Sequence, residues 1–213
     1  MPVRTDRREY RKFEGMEIRK ADDGRMVVEG YATTFNQPYE LMRDKDMIVN
    51  EQVDPKAFDE TDMSDTIMQY DHEGRVFARV KNGTLELTPD DHGLKVRANL
   101  GGTEIGRQLF EEIDGGYTNK MSFGFTVTGQ KRERSKDADG NTVILRTITK
   151  VGRLFDVSAV SLPANDATEI SSRTIGDGLI AEAMKEVQAE EERKRRIGEI
   201  RKILKREEPN HDE

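Results

Sequence analysis

Apolar and polar residues alternate with a period of two along much of this chain, the mark of strands with one buried face. The clearest case is Lys120-Met121-Ser122-Phe123-Gly124-Phe125-Thr126-Val127. Met121, Phe123, Phe125 and Val127 share one face and supply core, while Ser122, Gly124 and Thr126 share the other. Residues 17–19 and 26–32 read as strands flanking the turn Asp22-Asp23-Gly24. Residues 66–71, 75–81, 84–88 and 93–100 continue as short strands, split by Asn82-Gly83 and by Pro89-Asp90-Asp91-His92-Gly93. A hairpin with Asp137-Ala138-Asp139-Gly140-Asn141 at its tip leads into residues 143–151 and 154–161.

Helical spacing is rarer. Asp54 followed by Pro55 predicts a short helix start. Thr103 predicts the cap of a helix whose Ile105, Leu109, Phe110 and Ile113 fall on one side, ended by Gly115-Gly116. Near the C-terminus, Leu179, Ile180, Ala183, Met184 and Val187 form one stripe and Ile197, Ile200, Ile203 and Leu204 another, predicting one long helix. The seam lapses over Glu190-Glu191-Glu192-Arg193-Lys194-Arg195-Arg196, so the helix reads either as solvated or as a tether or coiled-coil arm. The expected architecture is a β-rich α+β domain, a barrel or sandwich, over residues 14–172. A charged, mobile stretch (1–13) precedes it and a charged helical arm (173–213) follows.

Composition narrows the function classes. The chain has 213 residues, 34% hydrophobic and 36% charged, so part of it lies outside a packed core. The net charge of -7 argues against a general nucleic-acid binder, which needs a basic surface. The absence of cysteine excludes disulfides, a thiol nucleophile and thiolate metal sites. No apolar run approaches the ~20 residues that span a bilayer. The opening residues, from Met1-Pro2-Val3-Arg4, have no apolar segment and predict no secretory signal.

Three places carry candidate chemistry. Ser122, with glycine two residues on, has room beside its hydroxyl for a base and a carbonyl; the same pattern also fits a plain half-buried strand. His72, in Gln69-Tyr70-Asp71-His72-Glu73-Gly74, sits at a strand end where an imidazole can reach over a sheet edge as general base. The other histidines lie in a polar turn (His92) and the polar tail (His211). Asp156 is a carboxylate inside an apolar strand and needs a partner, either a histidine or a base such as Arg153. Ser158 shares its face and is a rival nucleophile. Pro163-Ala164-Asn165 ends that strand in a turn whose amides can face an oxyanion. The 137–141 turn lacks the glycine and glutamate positions of a calcium loop. A metal hydrolase built on His72, Asp71 and His92 lacks any HExxH pattern. No cofactor or metal is expected.

Taken in order, these segments resemble the prohead proteases of tailed bacteriophages, capsid-maturation serine proteases related to herpesvirus assemblins. The resemblance runs through Val28-Glu29-Gly30-Tyr31-Ala32 with Phe35, Asp71-His72, Leu94-Lys95-Val96, Met121-Ser122-Phe123-Gly124-Phe125, and Asp156-Val157-Ser158 with Pro163-Ala164-Asn165. It covers residues 14–172 and implies an antiparallel β-barrel wrapped by short helices. It implies Ser122 as nucleophile and His72 as base. The third position, commonly glutamate in such phage enzymes, is Asp156 here, one methylene shorter. The amides of Ala164 and Asn165 are the implied oxyanion donors. The implied substrates are an internal scaffold or the scaffold-like region of the major capsid protein, and the protease itself. The implied location is the host cytoplasm, inside the prohead, with self-association and no membrane. A non-catalytic scaffold or capsid component that keeps the fold is the alternative, distinguished by fluorophosphonate labelling of Ser122.

Overall fold

The computed structural model describes residues 8–20, 26–160, 179–186, 189 and 192–200, with the backbone alone for 12–20. The ten strands are β1 (Glu9–Lys20), β2 (Val27–Thr34), β3 (Tyr39–Asp44), β4 (Met47–Val53), β5 (Ile67–Tyr70), β6 (Glu73–Arg79), β7 (Leu85–Pro89), β8 (Gly93–Asn99), β9 (Lys120–Lys136) and β10 (Thr142–Val160). One helix, α1 (Glu104–Asp114), separates β8 from β9. Residues 179–186 and 192–200 are also helical. No helix among the described residues is long and apolar enough to cross a membrane.

Periodicity placed β2, β5, β6, β7, β8 and α1 within two residues, but β3 and β4 were not expected, β1 begins eight residues before the expected 17–19, and the strands expected at 143–151 and 154–161 are the single strand β10. Thr103 caps α1 by accepting from the Gly106 N–H, at 3.0 Å, and Gly116, at φ 76°, carries the chain out of it. The Asp54-Pro55 signal was expected to start a helix and gives a turn. Asp54 accepts from the amides of Lys56 and Ala57. The chain then folds Ala57 and Phe58 into the core, where the Ala57 carbonyl accepts from the Val151 N–H. Tertiary packing outweighs the local cap there. The first strand begins at Glu9, inside the stretch 1–13 that composition alone reads as mobile.

The strands form one mixed sheet in the order β3-β4-β10-β9-β1-β2-β8-β7, with β5 and β6 branching from β10. The expected pairing was antiparallel throughout. Instead β10 runs parallel to β4 over Thr142–Ile148 and parallel to β5 over Asp156–Ala159. One edge of this 19-residue strand is shared by two successive partners. Register shifts in the β9–β10 ladder between Ile148 and Asp156 bend the pair where the partner changes. The strand path is open, so no barrel is closed by continuous ladders among the described residues. A single bridge, Phe35 with Val53, joins the end of β2 to the end of β4.

The main core is built on one face of the central strands. Val28, Leu94 and Val96 meet Met121, Phe123 and Phe125, with Phe58 and the Leu109–Phe110–Ile113 face of α1 packed around them. The Phe123 and Phe125 rings stack at 4.4 Å. Phe123 and Phe125 thus line the core as the alternation required, leaving Ser122 and Gly124 on the opposite face of β9. A second cluster joins Met47, Val49 and Ile144 to Leu179, Ile180 and Ala183 of the C-terminal helical region.

Candidate active site

Sequence position separates Ser122, His72 and Asp156 by up to 84 residues, and three strands bring them together. In the β9–β10 ladder Ser122 lies opposite Ser158 and Gly124 opposite Asp156. All four therefore share one face. β5 lies on the other edge of β10, with Gln69 beside Ser158 and Tyr70 beside Ala159. The β5–β6 hairpin closes at once, since Tyr70 pairs with Glu73. Its two loop residues, Asp71 and His72, both take positive φ, 48° and 63°. Such a turn favours asparagine and glycine, and a histidine there is strained. The Asp71 N–H bonds the Ala159 carbonyl at 3.0 Å and holds the turn against β10. The strain has a use: it throws the imidazole back over the sheet face.

There His72 bridges the two other candidates. Its Nε2 lies 2.5 Å from Ser122 Oγ, and its Nδ1 lies 2.5 Å from Asp156 Oδ2. Ser158 does not stand apart as a rival nucleophile. Its hydroxyl donates to Asp156 Oδ2 at 2.8 Å and lies 3.3 Å from His72 Nδ1. Asp156 does not take Arg153, whose Nε sits 3.7 Å from Asp62. Its outer oxygen, Oδ1, instead accepts from Arg8. Gly124 makes this possible, because a Cβ there would stand 2.4 Å from Asp156 Oδ1 and 2.8 Å from Arg8 Nε.

The site is closed. Ser122, Asp156 and Ser158 are fully buried and the His72 side chain is 4% exposed. Burial first, and then the positive charge of Arg8, push the His72 pKa down to about 4. The imidazole is neutral at physiological pH, with a lone pair free for the serine proton. An Nδ1–H bond to Asp156 leaves Nε2 as the acceptor, the tautomer a general base needs.

The remaining sequence candidates fall elsewhere. His92 packs edge-on against Tyr31, ring centres 4.5 Å apart, in the turn between β7 and β8. Among the described residues no three histidine, aspartate or glutamate side chains cluster as metal ligands would. Ala164 and Asn165 lie outside the described residues, as does His211.

Two features escaped the sequence reading. One is Arg8, in a stretch whose charge alone suggested mobility. The other is a buried ion cluster beside the site. Arg11 binds Glu51 and Glu9, and Arg146 binds the same two carboxylates, at 2.5 Å to Glu51 and 2.9 Å to Glu9. Tyr39 donates to Glu51 and Arg146 to Gln130. Burial alone would raise the Glu51 pKa, but Arg11 and Arg146 outweigh it and hold it at about 2. The one local signal was Glu51 within the apolar run of β4, a carboxylate that needed cations the sequence could not locate. The cluster fixes β1 beside β9, and the Arg11 carbonyl accepts from Ser122 Oγ at 2.8 Å.

Searches of curated proteins and of solved structures found no match. A family model does match: caudovirus prohead serine protease, over residues 14–188. That span contains the strand of Ser122, the turn of His72 and the strand of Asp156, which the fold assembles independently into a hydroxyl–imidazole–carboxylate chain. The chain thus belongs to the caudovirus prohead serine proteases, the proteases of bacteriophage capsid maturation.

Proposed function

We propose that Ser122 is the nucleophile, His72 the general base and acid, and Asp156 the carboxylate that orients the imidazole. The observation that supports this is His72 in contact with both partners at 2.5 Å. Ser122 Oγ attacks the scissile carbonyl as His72 Nε2 takes its proton. The tetrahedral intermediate collapses as His72 returns the proton to the leaving amine, giving an acyl-enzyme. Water, deprotonated by His72, then releases the acid. The backbone amides of Ala164 and Asn165 are the proposed oxyanion donors.

The proposed substrates are an internal scaffold, or the scaffold-like region of the major capsid protein, and the protease itself, inside the prohead in the host cytoplasm. The proposed protease unit is residues 14–172, and the Phe35–Val53 bridge supports the proposed closure of its sheet into a barrel. The proposed role of the C-terminal arm, helical over residues 179–186 and 192–200, is to tether the enzyme to shell components or a second copy. Its exposed Ile197 and Ile200 suit that use. Co-expression with the cognate capsid protein tests the proposal by intact mass. Processing is expected with the native chain and absent with Ser122→Ala; processing by the variant would overturn it.

A further inference from the structure

An endopeptidase must bring a peptide carbonyl to bonding distance of its nucleophile. Here that approach is occupied by the chain itself. β9 is paired along both edges, by β10 and by β1. On the β1 side Tyr10 pairs with Gly124 and Lys12 with Ser122. The Tyr10 ring stands edge-on to the His72 ring at 4.6 Å. The Arg8 guanidinium lies 5.0 Å from the Tyr10 ring and 4.7 Å from the Phe155 ring while it binds Asp156. The Arg11 carbonyl accepts from Ser122 Oγ, which engages the one hydroxyl proton that His72 must remove. All three reacting side chains are therefore touched by residues 8–11.

These four residues are not anchored alike. Glu9 and Arg11 are locked into the buried ion cluster on the core side. Arg8 and Tyr10 project to the other face. The Arg8 side chain remains 35% exposed, and its buried Nε has no hydrogen-bond partner among the described residues. The β1–β9 register shifts between Lys12 and Glu17, so the pairs beside the site form a short ladder of their own. The family match begins at residue 14, downstream of all these contacts.

We infer that Arg8 and Tyr10 form a releasable cover over the Ser122–His72–Asp156 site, with the Arg8–Asp156 ion pair as its latch. The inference rests on the proposed protease function of that site. In the covered state no polypeptide reaches Ser122. Arg8 also shares the Asp156 charge that would otherwise stabilise an imidazolium in the transition state. Lifting Arg8 and Tyr10 removes both of these and leaves Glu9 and Arg11 in place; the Ser122 hydroxyl then turns its proton from the Arg11 carbonyl to His72 Nε2, 2.5 Å away.

The test uses the full chain, native and as the Arg8→Ala/Tyr10→Ala double variant, with a Ser122→Ala version of each as the unlabelled control. Two quantities are read: the rate of fluorophosphonate labelling, and amide exchange along residues 120–126. A covered resting state predicts labelling at least about tenfold faster in the double variant, because the rate scales with the open fraction. Exchange along residues 120–126 should rise while β2 and β8 stay unchanged, and the Ser122→Ala chains should not label. Equal or slower labelling of the double variant overturns the cover and leaves the protease reading standing. Faster exchange with no label on any chain overturns the protease reading and upholds the cover. Arg8→Gln, which keeps the bulk but loses the charge, repeats the comparison if the double variant does not fold.

Discussion

Gly124 and Asp156 face each other across the β9–β10 ladder so closely that a Cβ on Gly124 would stand 2.4 Å from the Asp156 carboxylate. The glycine two residues after Ser122 is therefore a space for the acid and for Arg8, not only a gap beside the nucleophile. Gly124→Ala should displace the Asp156 carboxylate from its hydrogen bonds to Arg8 and His72 more than it moves backbone. Stability should fall by only ~1–2 kcal/mol, while processing falls about a hundredfold or more because the imidazole loses its orienting carboxylate. Urea unfolding and capsid-protein cleavage measure the two separately. A variant with native cleavage would show that Asp156 does not need that position.

Loss of Ser122 or of His72 should each abolish processing, and the double variant should be scarcely worse than either single one, since the members act as a unit. Ser158→Ala removes one hydrogen bond to Asp156 and a longer contact with His72 Nδ1, and leaves Ser122, His72 and Asp156 in place. It should cost ~1 kcal/mol of transition-state stabilisation, about fivefold in rate. Asp156→Asn should fall between these. A Ser158→Ala chain as dead as Ser122→Ala would mean that the nucleophile has been misassigned.

Acid should destabilise the fold through His72. Arg8 just before β1, Tyr10 of β1, Ser122 of β9, and Asp156 and Ser158 of β10 face its ring. Its pKa falls from 6.5 to about 4 on folding, so the unfolded chain binds the proton first as pH drops. The stability it contributes is whole above pH 6.5 and is lost as pH falls through about 4, up to roughly 3 kcal/mol in all. His72→Gln should flatten that part of the profile in urea titrations between these limits. An unchanged slope would show that the imidazole is not buried neutral.

Glu51 balances two arginines in a closed cluster. Glu51→Gln should leave Arg11 and Arg146 with a single carboxylate, Glu9, and destabilise the fold by about 3–5 kcal/mol. The expected signature is a lower urea midpoint with an unchanged denaturant slope. A midpoint near the native value would mean that the cluster rearranges at little cost.

Truncation after Ser172 keeps Ser122, His72 and Asp156 but uncovers Met47, Val49 and Ile144, on which Leu179, Ile180 and Ala183 pack. The shortened chain should fold and label at Ser122, yet melt several degrees lower, as loss of about 1–2 kcal/mol implies for a domain of this size. It should also be less soluble. A chain that fails to fold at all would make the helical region part of the protease domain.

Much of this was legible locally. Alternation fixed β9 with its core face of Met121, Phe123 and Phe125 and its opposite face of Ser122 and Gly124, because side-chain direction in a strand depends only on parity. The Thr103 cap and the glycines after Asp114 bounded α1, because caps act within one turn of chain. Asp156 stands out as a carboxylate within an apolar strand, and His72 as a histidine at a strand end. What no local pattern contains is which strand pairs with which. The parallel pairings of β10 with β4 and β5, the turn in place of a helix at Pro55, the four-ion cluster and the seat of Arg8 on Asp156 all join residues far apart in the chain. Local pattern sets which residues share a face of each strand or helix. Tertiary structure alone decided the partners, because a buried charge or hydroxyl accepts any suitable group that the fold carries to it, and loop closure between distant segments depends on the whole core rather than on any one segment.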